Sequence, residues 1–197
     1  MRRRDLDHDP ARQFARWFAE AGAAGVQAPE AMALATATTD GAPSARIVLL
    51  KGHGADGYVF FTDHRGRKAQ ELAANPRAAL LFHWDAPGRQ VRIEGAVGPV
   101  TTAESEAYYR SRPLASRLGA WASHQSAVVA DRPALEARLR ELTERIGNDP
   151  PLPPHWGGYR LVPLAYEFWE HHDDRLHDRF RYRPDGAGGW RIDRLMP

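Results

Sequence analysis

Residues 78–97, AALLFHWDAPGRQVRIEGAV, hold two segments of strand character around a short turn, and they decide the fold. The segments cover 78–84 and 90–97. Between them, Ala86-Pro87-Gly88 is typical of a turn, because proline and glycine favour turn geometry. Two such segments so close in the chain predict an antiparallel hairpin.

More segments of strand character lie on both sides of this hairpin. They cover residues 32–39, 45–51, 58–62, 159–169, 179–182 and 190–195. Asp40-Gly41 is a hairpin turn sequence, residues 52–57 are predicted to be a turn, and residues 185–189 carry the glycines of a last hairpin. The chain is therefore rich in strands that hairpins connect.

Helical patterns are inserted between these strands. Asp9-Pro10 predicts a helix start, and Gly22 and Gly25 predict its end. The apolar face of this helix consists of Phe14, Trp17, Phe18 and Ala21. Further helices are predicted at 67–74, 101–109, 116–122 and 133–146. Asn75-Pro76 ends the first of these, and Thr101 and Glu104 form a capping box at the start of the second. The last has an apolar stripe of Leu135, Leu139, Leu142 and Ile146.

Hairpin-linked strands with inserted helices indicate an α+β fold whose antiparallel sheet closes into a barrel. The sequence has no internal repeat and no linker that would divide it. We therefore expect a single domain over residues 1–197, in which residues 1–30 form an N-terminal arm and helix.

The composition excludes several classes of protein. Of the 197 residues, 43% are hydrophobic and 26% charged, which excludes global disorder. The chain has no cysteine, so disulfides, thiolate metal ligands and a thiol nucleophile are excluded. A net charge of +2 gives no electrostatic footprint for nucleic acid. No apolar run reaches the ~20 residues of a membrane span and no signal-peptide pattern is present, so we expect a cytoplasmic protein with no membrane partner.

Cationic residues collect at strand ends and turns. Arg46 and Lys51 bracket an apolar segment, while Arg65, Arg67 and Lys68 lie where a strand turns into a helix. A helix N-terminus offers free N–H groups, and adjacent cations favour phosphate there. Ordinary surface charge is the alternative for each arginine. It fits Lys51 less well, because four large apolar residues precede this lysine and predict a place close to the core.

A second group combines tyrosine, arginine and serine. Residues 108–113 read YYRSRP, and Ser116 follows. Their hydroxyl and guanidinium groups suit a second anionic group. Tyr108, Arg112 and Ser116 are spaced four apart, which predicts one helix face. Amphipathic helix packing is the alternative interpretation of the same pattern.

A third group, residues 170–179, reads EHHDDRLHDR and is rich in histidine and carboxylate. Such a set suggests a metal site, but His171 and His172 are adjacent and would point to opposite faces of a strand. We therefore expect no metal, and a solvated loop or an organic-ligand site remain open. Tryptophan could wall a flat cofactor, although core or rim positions are the ordinary expectation. The tryptophans concerned are Trp84, Trp121, Trp156, Trp169 and Trp190.

One set of motifs runs in order along nearly the whole chain. It comprises residues 46–51 (RIVLLK), Arg67-Lys68, Arg89-Gln90-Val91, Tyr108 with Ser111-Arg112-Pro113 and Ser116, residues 119–126 (GAWASHQS), 151–158 (PLPPHWGG), Glu167-Phe168-Trp169, 175–180 (RLHDRF) and 190–197 (WRIDRLMP). Together these motifs resemble the pyridoxine/pyridoxamine 5′-phosphate oxidase family. One motif of this kind is weak evidence, but so many in one order are specific.

The resemblance implies an antiparallel split β-barrel with flanking helices and a homodimer that binds FMN at the subunit interface. The residues implied to bind the cofactor are Arg46, Ile47, Val48, Leu49, Leu50, Lys51, Phe61, Thr62, Arg67, Lys68, Gln90, Gln125, Ser126, Trp169 and Arg179. Those implied to bind the phosphorylated pyridine substrate are Lys51, Tyr108, Arg112, Ser116, Arg175 and His177. Arg175 and His177 are also implied to be catalytic, because they would cover the pyridine ring opposite the flavin.

The implied reaction oxidises pyridoxine or pyridoxamine 5′-phosphate to pyridoxal 5′-phosphate. A hydride passes from substrate C4′ to the flavin, and O2 is the acceptor that becomes H2O2. Two alternatives remain open: a related FMN-dependent oxidase of a polycyclic, phenazine-type intermediate, and a flavin-binding barrel without activity. The sequence departs from the family pattern at Glu170-His171-His172, where Gln-Gly is usual, and at Arg65, where a small residue is usual.

Overall fold

The computed structural model describes residues 1–197 and contains five α-helices and nine β-strands. The helices are α1 (Pro10–Ala23), α2 (Arg67–Ala74), α3 (Thr102–Ser111), α4 (Leu114–Ala122) and α5 (Arg132–Ile146), and a 3-10 turn covers Arg3–Asp5. The strands are β1 (Ala31–Ala37), β2 (Pro43–Leu49), β3 (Gly52–Gly54), β4 (Gly57–Asp63), β5 (Arg77–Trp84), β6 (Arg89–Pro99), β7 (Trp156–Glu170), β8 (Asp178–Pro184) and β9 (Trp190–Arg194). None of the helices has the length and apolar character that crossing a membrane requires.

The predicted helix starts are confirmed by their capping hydrogen bonds. The Asp9 carboxylate accepts a hydrogen bond from the backbone N–H of Ala11 at 2.9 Å. The Thr101 hydroxyl accepts one from the Glu104 backbone at 3.1 Å, and the Glu104 carboxylate accepts one from the Thr101 backbone at 3.0 Å. These bonds satisfy N–H groups that have no partner within a helix, so they fix where each helix begins.

All nine strands form one antiparallel sheet. Its order is β2-β1-β5-β6-β7-β4-β3, with β8 paired to β7 and β9 paired to β8. Strand β2 also contacts β4, although the two lie toward opposite edges, so the sheet curls toward closure. The predicted α+β class with a barrel-forming antiparallel sheet is confirmed.

The core is aromatic and lies between α1 and the sheet. The Phe14 ring of α1 packs edge-on against Tyr58 and Phe82, with ring centroids 4.9 Å apart in each pair. Trp17 contacts Phe168 in the same edge-on manner at 5.3 Å. All five rings are nearly or fully buried. Helix α1 is therefore held to the barrel by specific ring packing as well as by apolar area.

A β-bulge interrupts the pairing of β6 with β7. Glu94 pairs with Ala165, but Gly95 pairs with Pro163, which leaves Leu164 as an extra residue on β7. A Cβ atom at Gly95 would collide with a backbone carbonyl of β7, so glycine is needed there. Bulges bend a strand and increase its twist. The bend divides β7 into a first part that pairs with β4 and a last part that pairs with β8.

One local prediction is wrong. Residues 52–57 are more than a turn, because Gly52–Gly54 form β3 and pair with β4. The predicted helix α5 is confirmed, but its apolar stripe is mostly uncovered. Only Leu142 of that stripe is buried, and Leu135 is 42% exposed. The reason is that α5 packs against α4 at the periphery, so its stripe is only partly covered.

Candidate functional site

A cavity of about 500 Å³ opens between β2, β4 and the helices α2, α3 and α4. The predicted site residues that line it are Ile47, Val48, Leu49, Lys51, Phe61, Thr62, Lys68, Tyr108, Arg112, Ser116 and Gln125. Those that lie outside it are Arg46, Leu50, Arg67, Gln90, Ser126, Trp169, Arg175, His177 and Arg179. The structure thus brings together one part of the predicted site and leaves the other part elsewhere.

Arg112 is a half-buried cation of this cavity with an unpaired nitrogen. Its Nη1 atom is buried without a hydrogen bond, and its guanidinium lies over the Trp156 ring at 4.8 Å from the centroid. Burial lowers the pKa of Arg112, which means that the site disfavours the charge of its own side chain. A half-buried guanidinium without a carboxylate suits an anion, because an anion would supply the missing charge and the missing acceptor.

The predicted single helix face through Arg112 is wrong. Helix α3 ends at Ser111, α4 begins at Leu114, and Arg112 between them has extended backbone. The cause is Pro113, because a proline disfavours the helical conformation of the residue before it. The chain turns here, and Tyr108 and Ser116 still reach the same cavity from two different helices.

Three aromatic rings that line the cavity stack on one another. The Phe61 ring stacks on Tyr108 with centroids 4.0 Å apart and on Trp156 at 5.4 Å. The planes of Tyr108 and Trp156 are within 11° of parallel. Stacked rings of this kind suit a flat heteroaromatic ligand, which offers offset stacking as well as apolar contact.

Lys51 lies at the rim of the cavity and not near the core. Its side chain is exposed, whereas Leu50 just before it is 5% exposed and belongs to the core. The two neighbours point to opposite sides because side chains alternate along an extended backbone. Ile47 and Leu49 are 67% and 43% exposed next to the cavity, so β2 presents an apolar edge to any ligand there.

Lys68 is buried and joins three predicted site residues. Its Nζ donates hydrogen bonds to the Gln125 side-chain oxygen at 2.5 Å and to the Thr62 hydroxyl at 3.2 Å. The Thr62 hydroxyl donates to the same Gln125 oxygen at 2.9 Å. Burial and, to a lesser degree, the nearby charge of Arg46 lower the pKa of Lys68. The amide of Gln125 therefore holds the lysine at the cavity wall.

Asp63 and Arg65 form a clamp that sequence reasoning missed. Arg65 donates to both carboxylate oxygens of Asp63, at 3.0 and 2.7 Å, and to the Ser123 carbonyl at 2.7 Å. Burial opposes ionisation of Asp63, but the hydrogen bonds from Arg65 outweigh it and lower the pKa of Asp63. The clamp ties the end of β4 to the segment that carries Gln125. The sequence signal for this ion pair is an aspartate two residues before an arginine at the end of a strand.

A second group of predicted residues lies at the far end of β7, and we call it the distal row. Trp169 pairs with Gln90 on β6 and with Arg179 on β8, so the three form one row across the sheet. Strand β7 has 15 residues and begins at Trp156 beside the cavity. Trp169 lies 13 residues beyond Trp156, about 43 Å along the strand at ~3.3 Å per residue. None of the three residues of the distal row lines the cavity of the same chain.

The two residues predicted to be catalytic lie in the loop next to the distal row. The His177 ring lies 4.6 Å from the Trp169 ring, and the His177 Nδ1 accepts a hydrogen bond from the His172 backbone at 3.1 Å. Arg175 is exposed and has φ +63°, a left-handed conformation that is uncommon for a residue other than glycine. Such backbone strain occurs often at functional sites.

Most of the histidine- and carboxylate-rich segment is the loop 171–177, because β7 ends at Glu170 and β8 begins at Asp178. Ligand-type atoms of Glu170, His172 and Asp178 lie within 4.8 Å of one another. Cationic groups already contact this cluster: the Met1 ammonium lies 2.8 Å from Glu170 and 2.5 Å from Asp178, and Arg194 pairs with Asp178. The carboxylates are thus neutralised by the chain itself.

Comparison with known proteins supports one family over nearly the full length. The family model described as pyridoxamine 5′-phosphate oxidase matches residues 18–145, and that described as pyridoxine 5′-phosphate oxidase C-terminal dimerisation region matches residues 156–197. The pyridoxine/pyridoxamine 5′-phosphate oxidase of Bordetella pertussis is 60% identical over 188 residues, covering 95% of this chain and 89% of that protein. The enzyme of the same name from Cupriavidus metallidurans is 58% identical over 193 residues, covering 98% and 91%.

Solved structures agree with this result. PhzG from Burkholderia lata 383, in complex with tetrahydrophenazine-1-carboxylic acid, is 38% identical with a TM-score of 0.92, covering 98% of this chain and 95% of that one. A pyridoxamine 5′-phosphate oxidase-related, FMN binding protein from Nostoc punctiforme shares the fold at 19% identity and a TM-score of 0.75.

The barrel and its cation-lined cavity define the class of split-barrel oxidoreductases. Within that class, the chain belongs to the pyridoxine/pyridoxamine 5′-phosphate oxidase family. The prediction of this family, and with it of an oxidase, is confirmed.

Proposed function

We propose that this chain oxidises pyridoxine 5′-phosphate, pyridoxamine 5′-phosphate or both to pyridoxal 5′-phosphate, with FMN as cofactor and O2 as electron acceptor. Arg112 is the observation that carries the proposal, because its guanidinium has a buried N–H without an acceptor. Lys51 adds a second cation to the same cavity. A phosphate would form ion pairs with both cations, and the stacked rings around Phe61 suit a pyridine ring.

The residues present fit FMN at the other end of the cavity. Lys68 lines the cavity and Arg67 lies just outside it, both in the first turn of α2, so two cations would face a phosphate there. The exposed apolar edge of Ile47 and Leu49 suits the ring system of a flavin. When bound, FMN would supply the two-electron redox chemistry, with the substrate as the hydride donor and O2 as the acceptor that becomes H2O2.

The protein contributes binding and orientation. Lys51 and Arg112 hold the substrate phosphate, and the hydroxyl groups of Tyr108 and Ser116 donate hydrogen bonds to it. These contacts fix the distance of C4′ from the flavin, and correct orientation accounts for much of the rate of such a reaction. With the amine substrate, water replaces the nitrogen after oxidation and ammonia leaves.

The proposal includes a homodimer whose sites are shared between subunits. The distal row and the loop with Arg175 and His177 do not line the cavity of their own chain, and in the proposed dimer they would complete the cavity of the partner. Exposed apolar residues on three strands of the sheet support such an interface. They are Ile47 and Leu49 on β2, Leu81 on β5, and Val162 and Leu164 on β7. The match of residues 156–197 to a dimerisation region adds support.

A phenazine-type oxidase is the second candidate, because the similarity to PhzG covers 98% of this chain. Both candidates have an anionic ligand, but one carries a phosphate on a single ring and the other a carboxylate on a tricyclic ring. The substrate that Arg112 and Lys51 accept therefore separates the two.

The test uses the purified full-length protein. We expect the absorption spectrum of a bound flavin, and formation of pyridoxal 5′-phosphate and H2O2 in equal amounts from at least one of the two phosphorylated substrates. Turnover of a reduced phenazine carboxylate, with none of either pyridine substrate, would support the second candidate. A flavin spectrum without turnover of any of these substrates would indicate a flavin-binding protein without oxidase activity.

A further inference from the structure

Glu71 lies at the centre of a buried polar network to which the proposed reaction assigns no role. It belongs to α2 and is 5% exposed. Its Oε1 accepts a hydrogen bond from Arg67 Nε at 2.8 Å. Its Oε2 accepts hydrogen bonds from the hydroxyl groups of Thr36 and Ser44 at 2.5 and 2.6 Å, and lies 3.3 Å from Arg46 Nη2. One carboxylate thus joins α2 to β1 and β2.

The two arginines of this network are held in different ways. Both terminal nitrogens of Arg46 are used inside the chain: Nη1 donates to the Thr36 hydroxyl and to a backbone carbonyl of β1, and Nη2 donates to the Ser44 hydroxyl. Arg67 gives only its Nε to Glu71, and its side chain is 61% exposed. The terminal nitrogens of Arg67 therefore remain free to bind an anion.

We propose that Glu71 is a positioning residue that holds Arg67 for the phosphate of the flavin and so sets a preference for FMN over riboflavin. The inference rests on the proposed function, since it takes FMN as the ligand. An exposed arginine loses much rotamer freedom when it binds an anion, and a preformed bond at Nε removes part of that loss in advance. Arg46 braces the same carboxylate from the side of the sheet.

The electrostatic balance of the region supports this role. Arg46, Arg67 and the buried Lys68 carry three positive charges, and Glu71 carries one negative charge among them. The remaining net charge of +2 matches a phosphate dianion. The carboxylate therefore orients the arginines without cancelling their attraction for phosphate.

The experiment titrates FMN and riboflavin into the flavin-free full-length chain and measures the ratio of the two dissociation constants. Three proteins are compared: wild type, Glu71→Gln, and Glu136→Gln as the matched control. Glu136 accepts a hydrogen bond from Arg132 Nε at 2.7 Å with the same spacing of four residues, but on the exposed helix α5. We expect the preference for FMN to fall about tenfold in Glu71→Gln, ~1.4 kcal/mol. Riboflavin affinity should hold within about twofold, and the control should match wild type.

The outcomes separate this inference from the proposed function. A wild type without preference for FMN would overturn both. If wild type prefers FMN but Glu71→Gln keeps the full preference, only the role of Glu71 is refuted. The same holds if Glu71→Gln lowers the affinities for FMN and riboflavin equally. Should Glu71→Gln not fold, Arg67→Gln changes an exposed residue and must lower the preference by at least as much. An unchanged preference in Arg67→Gln would refute the inference.

Discussion

Replacement of Arg112 by methionine is expected to stabilise the fold while it weakens substrate binding. The wild-type side chain keeps a buried N–H without an acceptor, a defect that costs about 1–3 kcal/mol. The cation–π contact of the guanidinium with the Trp156 ring, at 4.8 Å from the centroid, offsets part of this destabilisation. Such a contact contributes about 0.5–2 kcal/mol. Methionine keeps the volume and gains a sulfur–aromatic contact of about 0.3–1.5 kcal/mol.

The balance of these contributions favours the variant by about 1 kcal/mol. For a chain of this size, that difference raises Tm by about 2–4 °C. The substrate loses at least one charged hydrogen bond, worth about 1.5–3 kcal/mol. The KM for pyridoxine or pyridoxamine 5′-phosphate should therefore rise about 10- to 150-fold, at 1.4 kcal/mol per tenfold change.

Thermal unfolding without substrate and steady-state formation of pyridoxal 5′-phosphate measure the two effects. Arg110→Met is the matched control, because Arg110 is exposed on α3 and pairs with Glu106 at 2.7 Å outside the cavity. The control should keep the wild-type KM and a Tm within about 1 °C. With FMN bound, inorganic phosphate should raise the Tm of wild type and of the control more than that of Arg112→Met. A lower Tm or an unchanged KM in Arg112→Met would show that Arg112 has a structural partner and does not bind the substrate phosphate.

Acid stability, subunit complementation and a strained serine offer three further tests. Hydrogen bonds from hydroxyl groups lower the pKa of Glu71 to about 2 from its ordinary 4.5. The stability from this shift is present above about pH 4.5 and lost as the pH falls toward 2, so urea unfolding should show wild type and Glu71→Gln converging in acid. If the two inactive variants Arg112→Ala and Trp169→Ala are mixed and their subunits exchange at random, half of the dimers contain one chain of each kind and have one intact site of two. The mixture should therefore recover about a quarter of wild-type activity, whereas no recovery would show that both residues serve the site of the same chain. Ser126 has φ +71°, so Ser126→Gly should be more stable than Ser126→Ala by about 1 kcal/mol in chemical unfolding, the reverse of the usual order.

Local signals in the sequence predict most of the fold. Helix α2 begins and ends where predicted, because Gly66 precedes it and Asn75-Pro76 cannot continue it. The sequence also contains the signal for the break between α3 and α4, since Pro113 disfavours the helical conformation of Arg112. The predicted helix face of Tyr108 and Ser116 failed because it counted spacing alone and ignored this proline.

Contacts that depend on the register of distant strands could not be predicted. Thr36 and Ser44 become neighbours only when β1 pairs with β2, and only then can Glu71 of α2 bind both hydroxyl groups. In the sequence, a glutamate on a short helix is indistinguishable from an ordinary solvent-facing residue. The distal row is similar, because Gln90 and Arg179 meet beside Trp169 only through pairing on both edges of β7.

The extra residue Leu164 makes β7 tolerant of one change in length. Because Leu164 has no partner on β6, its deletion would leave Gly95 and Glu94 paired as before, and the pairs with β4 and β8 would also remain. The bend would be lost, since a uniform ladder runs straight apart from its twist. Trp156 and Trp169 would then lie at the ends of a straighter strand, and in the homodimer that we propose the cavity of one copy would no longer meet the distal row of the other. Because Leu164 is also an exposed residue of the proposed interface, Leu164→Ala, which keeps the bulge, is the matched control. A deletion variant that folds and dimerises without turnover, beside an active Leu164→Ala, would show that the bend aligns the cavity with the distal row.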